Sequence, residues 1–303
     1  MRVIVITNPG AGAKSDSHDE LRDVLGSVGV EAQVRQAHGR ELVDAARDAA
    51  KAGVDAVVAA GGDGTVSAVA EALADSDTPL GILPTGTLNH FARDLQIPTA
   101  LAAAARVIAD GNVRRVDLGM CNGRTFINNS SIGIYPHIVG QRDSQRQRLG
   151  RGKWVAMLVA CVSAFRRHPT VRVRIGIDDQ TVLRTTPFVF VGNNRYEMTL
   201  TMLGRRTRLD GGELSLYFAN RSGRFALLRL ALRAIFGRLE QSKDFESLAV
   251  DELWIETPRR ALRVALDGEV TRLSPPLHFH VRPGALRVLA PLTGAPKTQG
   301  VAE

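Results

Sequence analysis

The first 120 residues alternate strand-like and helix-like segments, and that alternation leaves few ways to fold. "RVIVIT" (Arg2–Thr7) is a continuous apolar run, and "DELRDVLGSVG" (Asp19–Gly29) has helical spacing and ends in glycine. "EAQVRQA" (Glu31–Ala37) is a second strand, and "RELVDAARDAAKAG" (Arg40–Gly53) an alanine-rich helix that stops at Gly53. "DAVVAA" (Asp55–Ala60) is a buried strand followed by the helix "TVSAVAEALAD" (Thr65–Asp75). "PLGILP" (Pro79–Pro84) is a fourth strand, followed by "TGTLNHFARDL" and "TALAAAARVIADG". Apolar strands separated by helices at this spacing predict a parallel sheet covered on both faces, an α/β domain over residues 1–120.

From about Gly119 the pattern changes. "GRTFINNSSIGI", "TVRVRIGIDDQTV", "PFVFVGN", "GELSLYFA", "ELWIETP", "LRVALDGEV", "LHFHV" and "ALRVLAP" are short, mostly alternating strands with turn residues between them. They predict an antiparallel β-rich domain over 121–283, interrupted by helical stretches at Lys153–Arg166 and Arg224–Gln241. Residues 292–303, rich in Gly, Thr and Pro, read as a frayed tail.

Charge and composition narrow the function classes. The net charge of +8 favours anionic partners such as nucleotides, nucleic acid or anionic lipid headgroups. A nucleic-acid partner is not expected, because the basic residues lack an aromatic RNA-binding stripe or a helix-turn-helix context. The two cysteines, Cys121 and Cys161, lie far apart without neighbours at ligand spacing, which argues against a zinc site or a disulfide framework. The opening "MRVIVITNPG" is too short an apolar run for a signal peptide. The longest apolar stretch, Trp154–Phe165, has 12 residues, whereas a spanning helix needs about 20. These features read as a cytoplasmic protein that can still touch a membrane.

Three glycine-rich loops follow strands of the first domain. "GGDGT" (Gly61–Thr65) precedes a helix whose N–H groups and positive end favour an anion. It is neither a Walker A loop nor GxGxxG. Asp63 inside it is either a plain turn residue or the ligand of a magnesium ion that neutralises phosphates. "TNPGAGAK" (Thr7–Lys14) and "PTGT" (Pro84–Thr87) end two further strands. Three such loops at one edge of a parallel sheet form the crevice in which α/β folds bind nucleotides.

"NPGAGAK", "GGDGT", "LPTGTLNHFARDL", "RRVDLG", "FINNSSIGIYP", "LDGGELSLY" and "ALDGE" occur in this order over residues 2–291. The ordered set resembles the diacylglycerol kinase catalytic-domain family, which includes bacterial lipid kinases and sphingosine kinases. The resemblance implies an N-terminal α/β domain like those of NAD kinase and phosphofructokinase. It also implies a C-terminal antiparallel, β-sandwich-like domain with helices. The last strand, near 284–291, commonly returns to the first domain in this family, and ATP binds in the cleft between the domains. Matching positions put Asn8, Gly10 and Gly12 near the nucleotide. Gly61, Gly62, Asp63, Gly64 and Thr65 match positions that hold phosphates and magnesium, and Thr85, Gly86 and Thr87 complete the phosphate wall. Two positions depart from the family pattern. Ser67 and Ala68 stand where Asn-Glu is usual, and His90 stands where the family carries Asp. A histidine does not replace a carboxylate on a hard cation, so either Asp63, with Asp117, carries more of the metal binding or metal affinity is weaker.

The acceptor end lies in the β-rich half. Read alone, Asp267-Gly268 between alternating apolar residues is a hairpin turn. The resemblance makes Asp267 the general base and places Glu269 near the nucleotide. Asp210, in "RLDGGELSLY", is either a turn aspartate or, as in related bacterial lipid kinases, a ligand of a structural magnesium. The arginine-rich Gln141–Trp154 and the basic, apolar-striped Gly223–Arg238 suit an anionic membrane surface, although such a stripe is as readily core. The leading expectation is an ATP- and magnesium-dependent lipid kinase acting on a diacylglycerol-like or sphingoid-like hydroxyl at the inner membrane face. A kinase of a soluble acceptor such as NAD, and a catalytically weak nucleotide- or lipid-binding protein, are the alternatives. A homodimer is left open.

Overall fold

The structure is a computed structural model that describes residues 1–9, 18–133, 170–177, 180–196, 206, 208–219 and 245–292. Gly10 and Gly12, the helical stretches expected at Lys153–Arg166 and Arg224–Gln241, the two basic membrane-facing candidates and the tail beyond Leu292 lie outside these residues. The chain divides into two compact units. The first comprises Met1–Val116 with the chain from Leu286 onward, and the second is Asp117–Ala285.

The first unit contains β1 (Arg2–Thr7), α1 (His18–Gly26), β2 (Glu31–Gln36), α2 (Glu41–Lys51), β3 (Ala56–Gly61), α3 (Asp63–Ala72), β4 (Leu80–Pro84), α4 (His90–Asp94), α5 (Leu101–Asp110) and the start of β5 (Val113–Cys121). The strands are parallel in the order β2-β1-β3-β4. Val3–Ile6 and every residue of β3 and β4 are buried, which accounts for their uninterrupted apolar sequences: helices cover both faces. β2, with the polar sequence EAQVRQ, is the edge strand and alternates between exposed and half-buried positions. The helices pack as two pairs, α1 with α5 and α2 with α3.

The second unit continues with β6 (Arg124–Phe126), β7 (Asn129–Gly133), β8 (Val171–Ile177), β9 (Gln180–Thr186), β10 (Phe188–Asn193), β11 (Leu214–Ala219), β12 (Phe245–Val250), β13 (Glu252–Glu256), β14 (Leu262–Leu266), β15 (Glu269–Leu273) and β16 (Leu277–Leu289). One antiparallel sheet runs β12-β11-β10-β7-β14-β15, and antiparallel pairs join β16, β13, β8 and β9. The inward residues of both sets form one apolar core, with Ile132, Val191, Leu216 and Val264 from the first and Val173, Ile175, Leu253 and Phe279 from the second. This is sandwich packing. The β-rich, sandwich-like expectation for this half is therefore met. Cys121 is buried in the core, which pushes its thiol up to about 12 and leaves it a small apolar filler. Among the described residues no helix is long and apolar enough to cross a membrane.

Three boundaries differ from the sequence expectation. Helix α3 begins at Asp63 rather than Thr65, because Gly62 is extended (φ −89°, ψ −173°) and caps the helix there. "GRTFINNSSIGI" is two strands, β6 and β7, because the backbone N–H groups of Ile127 and Asn128 turn to the Asp267 carboxylate. "LHFHV" and "ALRVLAP" form one strand, β16, which starts beside β13 and ends with Val288 paired to Leu80 of β4.

On β13 and β16, Trp254 stacks on His278 at 4.7 Å, and the His278 ring lies 4.9 Å from that of His280. His278 also pairs with Glu252. Burial lowers the pKa of His280, and His278 and Arg282 lower it further against an opposing pull from Glu252. The Nδ1 atom of His280 is buried and bonds to no other group in the described structure. A histidine whose folded pKa lies below its unfolded value binds more protons when unfolded. Its stabilising contribution is therefore present above about pH 6.5 and is lost as the pH falls toward the folded value. Thermal melts at pH 7.5 and 5.5 should show a larger acid-induced loss for the native chain than for His280→Leu. Identical losses would contradict this account.

Candidate functional site

In the order β2-β1-β3-β4, the chain leaves β1 toward one side and later places β3 on the other. The gap beyond the C-terminal ends of β1 and β3 is therefore the topological switch point, where open α/β sheets bind ligands. The pairings Thr7↔Ala60 and Gly61↔Pro84 level the three strand ends, so Asn8, Gly61–Thr65 and Thr85–Thr87 emerge from one edge. Asn8 is half-buried there.

Two of these loops are held against each other. A Cβ on Gly86 would lie 2.3 Å from the Gly62 Cα and 2.7 Å from Asn89 Oδ1, so only glycine permits this approach. Asn89 has a left-handed backbone (φ 49°), and its side-chain Nδ2 donates to the carbonyls of Pro84 at 3.2 Å and Gly86 at 2.9 Å. Its amide thus folds Thr85–Thr87 back toward Gly62. Asp63, in the first turn of α3, accepts the N–H of Phe91 at 3.4 Å, which ties α3 to α4. His90, half-buried, opens α4 at the position where the family pattern carries Asp.

Phosphate groups fit this edge. Helix α3 has no side-chain cap, so no side chain accepts the N–H groups of Asp63 and Gly64, whereas those of Thr65 and Val66 donate to the Gly62 carbonyl at 3.0 and 3.1 Å. The Thr65 hydroxyl is buried, bonds to no other group in the described structure, and lies beside Gly61, where an added Cβ would meet it at 2.5 Å. Thr87 and Gly64 are exposed, and Thr85 and Asp63 half-buried. Among the described residues no three His, Cys, Asp or Glu side chains gather into a ligand set. A magnesium ion at Asp63 would therefore take its remaining oxygens from phosphates, backbone carbonyls and water, which is how this ion is commonly held.

In the second unit, Asp117 is buried, at 2% exposure. Its Oδ2 accepts the Gly212 N–H at 2.7 Å and its Oδ1 the Gly284 N–H at 2.8 Å. Its own N–H donates to the Leu209 carbonyl at 2.7 Å. Asp117 thus fastens the Leu209–Gly212 turn to Gly284 of β16, whose φ is positive at 60°. Asp210 sits on that turn, exposed, 3.4 Å from Arg208 Nε. The turn is fastened again by Asn194, whose Oδ1 accepts the Gly211 N–H at 2.7 Å.

Asp267 and Gly268 both have positive φ, 47° and 87°, the signature of a type I′ turn, and Leu266 pairs with Glu269 across it. The Asp267 carboxylate accepts the N–H groups of Ile127 (2.8 Å), Asn128 (2.8 Å) and Asn129 (3.1 Å). Both readings of Asp267 therefore begin from one fact: the carboxylate is clamped to a single orientation. Glu269 is exposed at the start of β15. The same Ile127–Asn129 segment is gripped from its other side by Arg206, a residue the sequence reading passed over. Arg206 is buried at 3% exposure and donates to the Ile127 carbonyl at 2.7 Å, the Asn193 carbonyl at 3.1 Å and Asn128 Oδ1 at 2.8 Å. Tyr196 donates its hydroxyl to the Asn128 carbonyl at 2.9 Å and lies under the guanidinium at 5.4 Å. The available signals were the Asn128-Asn129 and Asn193-Asn194 pairs at strand ends; Arg206 itself stands among other arginines and carries none.

A switch-point phosphate cradle on a parallel sheet, in one chain with an antiparallel sandwich that presents a clamped aspartate, has the makings of a two-part kinase. Residues 2–121 match the diacylglycerol kinase catalytic domain, and residues 135–290 match the YegS C-terminal NAD kinase beta sandwich-like domain. A diacylglycerol kinase of Mycobacterium tuberculosis is 30% identical over 97% of this chain and 96% of its own. A Chromohalobacter salexigens protein named "Probable lipid kinase YegS-like" is 32% identical over 92% of this chain and 91% of its own. A crystal structure of a diacylglycerol kinase from Bacillus anthracis superposes with a TM-score of 0.69 at 21% identity, over 96% of this chain and 97% of that one, and shows the same fold. The chain belongs to the diacylglycerol kinase catalytic-domain family, and it is a kinase.

Two substitutions test the geometry. Asp117→Ala leaves two half-buried backbone N–H groups without their acceptor, and urea unfolding should show a loss of about 2 kcal/mol or more. A loss below about 1 kcal/mol would contradict its fastening role. Gly86→Ala forces the two loops apart and should lower stability by about 2 kcal/mol, with nucleotide affinity falling alongside in a titration calorimeter. Unchanged affinity in a folded Gly86→Ala protein would remove the loop from the phosphate site.

Proposed function

We propose that this kinase transfers the γ-phosphate of ATP, with magnesium, to the hydroxyl of a diacylglycerol-like or sphingoid-like lipid at the inner face of the membrane. The observation that carries the nucleotide half is the contact of Gly86 on Gly62, which sets the Thr85–Thr87 backbone beside the uncapped N-terminus of α3. Together these offer phosphate oxygens the Gly64 N–H and the hydroxyls of Thr65, Thr85 and Thr87. Asn8, which follows β1 at the same edge, joins them as a nucleotide ligand, and Gly10 and Gly12 are assigned the same role by their match to the family motif alone. Relatives named diacylglycerol kinase and lipid kinase support the lipid half.

Asp63 is the candidate magnesium ligand of this site, where the bound ion supplies charge neutralisation for the phosphates. Its bond to the Phe91 N–H fixes the carboxylate direction before any ligand arrives. Asp267 receives the proton of the acceptor hydroxyl, and its three backbone donors hold it in a single orientation for that task. Glu269 supports the nucleotide from the neighbouring strand. Asp117 and Asp210 border the turn at which a second, structural cation is proposed, with Asp117 aligning its backbone.

The test is turnover on a total lipid extract with ATP and magnesium, products being read by mass spectrometry. Lipids that gain one phosphate are expected. Asp63→Asn should lower their formation by at least about 100-fold while keeping the fold. Asp267→Asn turns an amide N–H toward a backbone N–H, so its melting temperature must be read beside its rate. A loss of turnover far exceeding the loss of folded protein supports the proton role. Phosphorylation of a soluble acceptor such as NAD, with no lipid product, would overturn the lipid assignment.

A further inference from the structure

Asp267 is held by peptide groups that are themselves held from behind. The N–H of the Ile127–Asn128 peptide donates to Asp267 Oδ1 at 2.8 Å. The carbonyl of that same peptide accepts Arg206 Nη1 at 2.7 Å and Asn193 Nδ2 at 3.1 Å. The Asn128–Asn129 peptide repeats the arrangement. Its N–H reaches Asp267 Oδ1 at 3.1 Å, and its carbonyl accepts the Tyr196 hydroxyl and the Asn193 N–H, both at 2.9 Å. Each carbonyl thus uses both lone pairs, and of these four donors only Arg206 carries a charge.

That charge is more than the segment needs to keep its shape. Arg206 is buried at 3% exposure, and it bonds three neutral oxygens: the Ile127 and Asn193 carbonyls and Asn128 Oδ1. Neutral donors satisfy such oxygens without taking a full charge out of water, as Asn193 and Tyr196 do on the same two carbonyls. What a guanidinium adds is polarisation. A charged donor on a carbonyl strengthens the bond that the N–H of the same peptide donates. Along this route that bond ends on Asp267, with one peptide group between cation and carboxylate. The Tyr196 ring, 5.4 Å from the guanidinium, backs the cation.

We infer that Arg206 is a positioning residue of the phosphoryl transfer. Through the Ile127–Asn128 peptide it fixes the direction of the Asp267 carboxylate. It also tightens the bond that holds the carboxylate while the proton of the acceptor hydroxyl arrives. Arg206 acts through Asp267 and not on the nucleotide, so its removal lowers kcat and leaves the KM for ATP in place. The inference rests on the reading of Asp267 as the proton acceptor, and the experiment separates the two.

That experiment is a double-mutant cycle on the full-length protein. Transfer of label from γ-labelled ATP to whichever acceptor is turned over gives the rate, expressed per folded molecule from a thermal melt. R206Q should lower kcat about 30-fold and change the KM for ATP less than about twofold. R206K keeps the charge without the planar fork and should lose only about 5-fold. In D267N, R206Q should cost less than about twofold further, because nothing remains for Arg206 to position. A further loss of about 30-fold in D267N would make Arg206 independent of Asp267 and overturn the inference alone. Native turnover in D267N would overturn the reading of Asp267 and the inference with it. R206Q as active as R206K would also overturn the inference, since the charge then has no part. Where R206Q does not fold, R206K carries the same cycle. A loss of about 5-fold in the native chain and less than about twofold in D267N supports the inference, and equal losses in both overturn it.

Discussion

Backbone N–H groups that no strand or helix satisfies are the constraint on which the site depends, and aspartate carboxylates meet it. Asp63 takes the N–H of Phe91, Asp117 those of Gly212 and Gly284, and Asp267 those of Ile127, Asn128 and Asn129. Each charged bond of this kind contributes about 1.5–3 kcal/mol, and each lost one leaves a backbone donor without its partner. The loops named by the sequence motifs therefore have fixed shapes before any ligand binds. The same bonds aim the carboxylates, which is the pre-organisation that phosphoryl transfer requires.

Glycine acts as the counterpart of these carboxylates. Gly86 lets one loop rest on Gly62 of the other, and α3 begins directly after the extended Gly62, so that Asp63 falls in its first turn. There the acidic side chain interacts favourably with the positive end of the helix. The Asp63 carboxylate is thus stabilised in the free protein by the helix and the Phe91 N–H, and in the proposed complex a cation shared with the phosphates would stabilise it.

The fold was largely legible because its signals are periodic. Continuous apolar runs marked β1, β3 and β4 as strands covered on both faces, and alternation marked the sandwich strands. Asp267-Gly268 was legible as a hairpin because a type I′ turn needs two positive φ values. Elements set by tertiary bonds were not legible. The break between β6 and β7 comes from a carboxylate about 140 residues away in the chain, and the strand β16 that fuses two segments is tied at Gly284 to Asp117. Arg206 was missed for the same reason: nothing local distinguishes it, and its importance lies in partners at positions 127, 128 and 193. Motif order announced the family, whereas the clamps that shape the motifs appear only once the chain is folded.

The central claim is that triphosphate binds at the switch point of the first sheet, on the α3 N-terminus and the Thr85–Thr87 loop. A crystal structure with magnesium and a non-hydrolysable ATP analogue tests it most directly. The account predicts phosphate oxygens within hydrogen-bonding distance of the Gly64 and Gly86 N–H groups and a cation on Asp63. An analogue bound elsewhere on the chain, with this edge filled only by solvent, would contradict it.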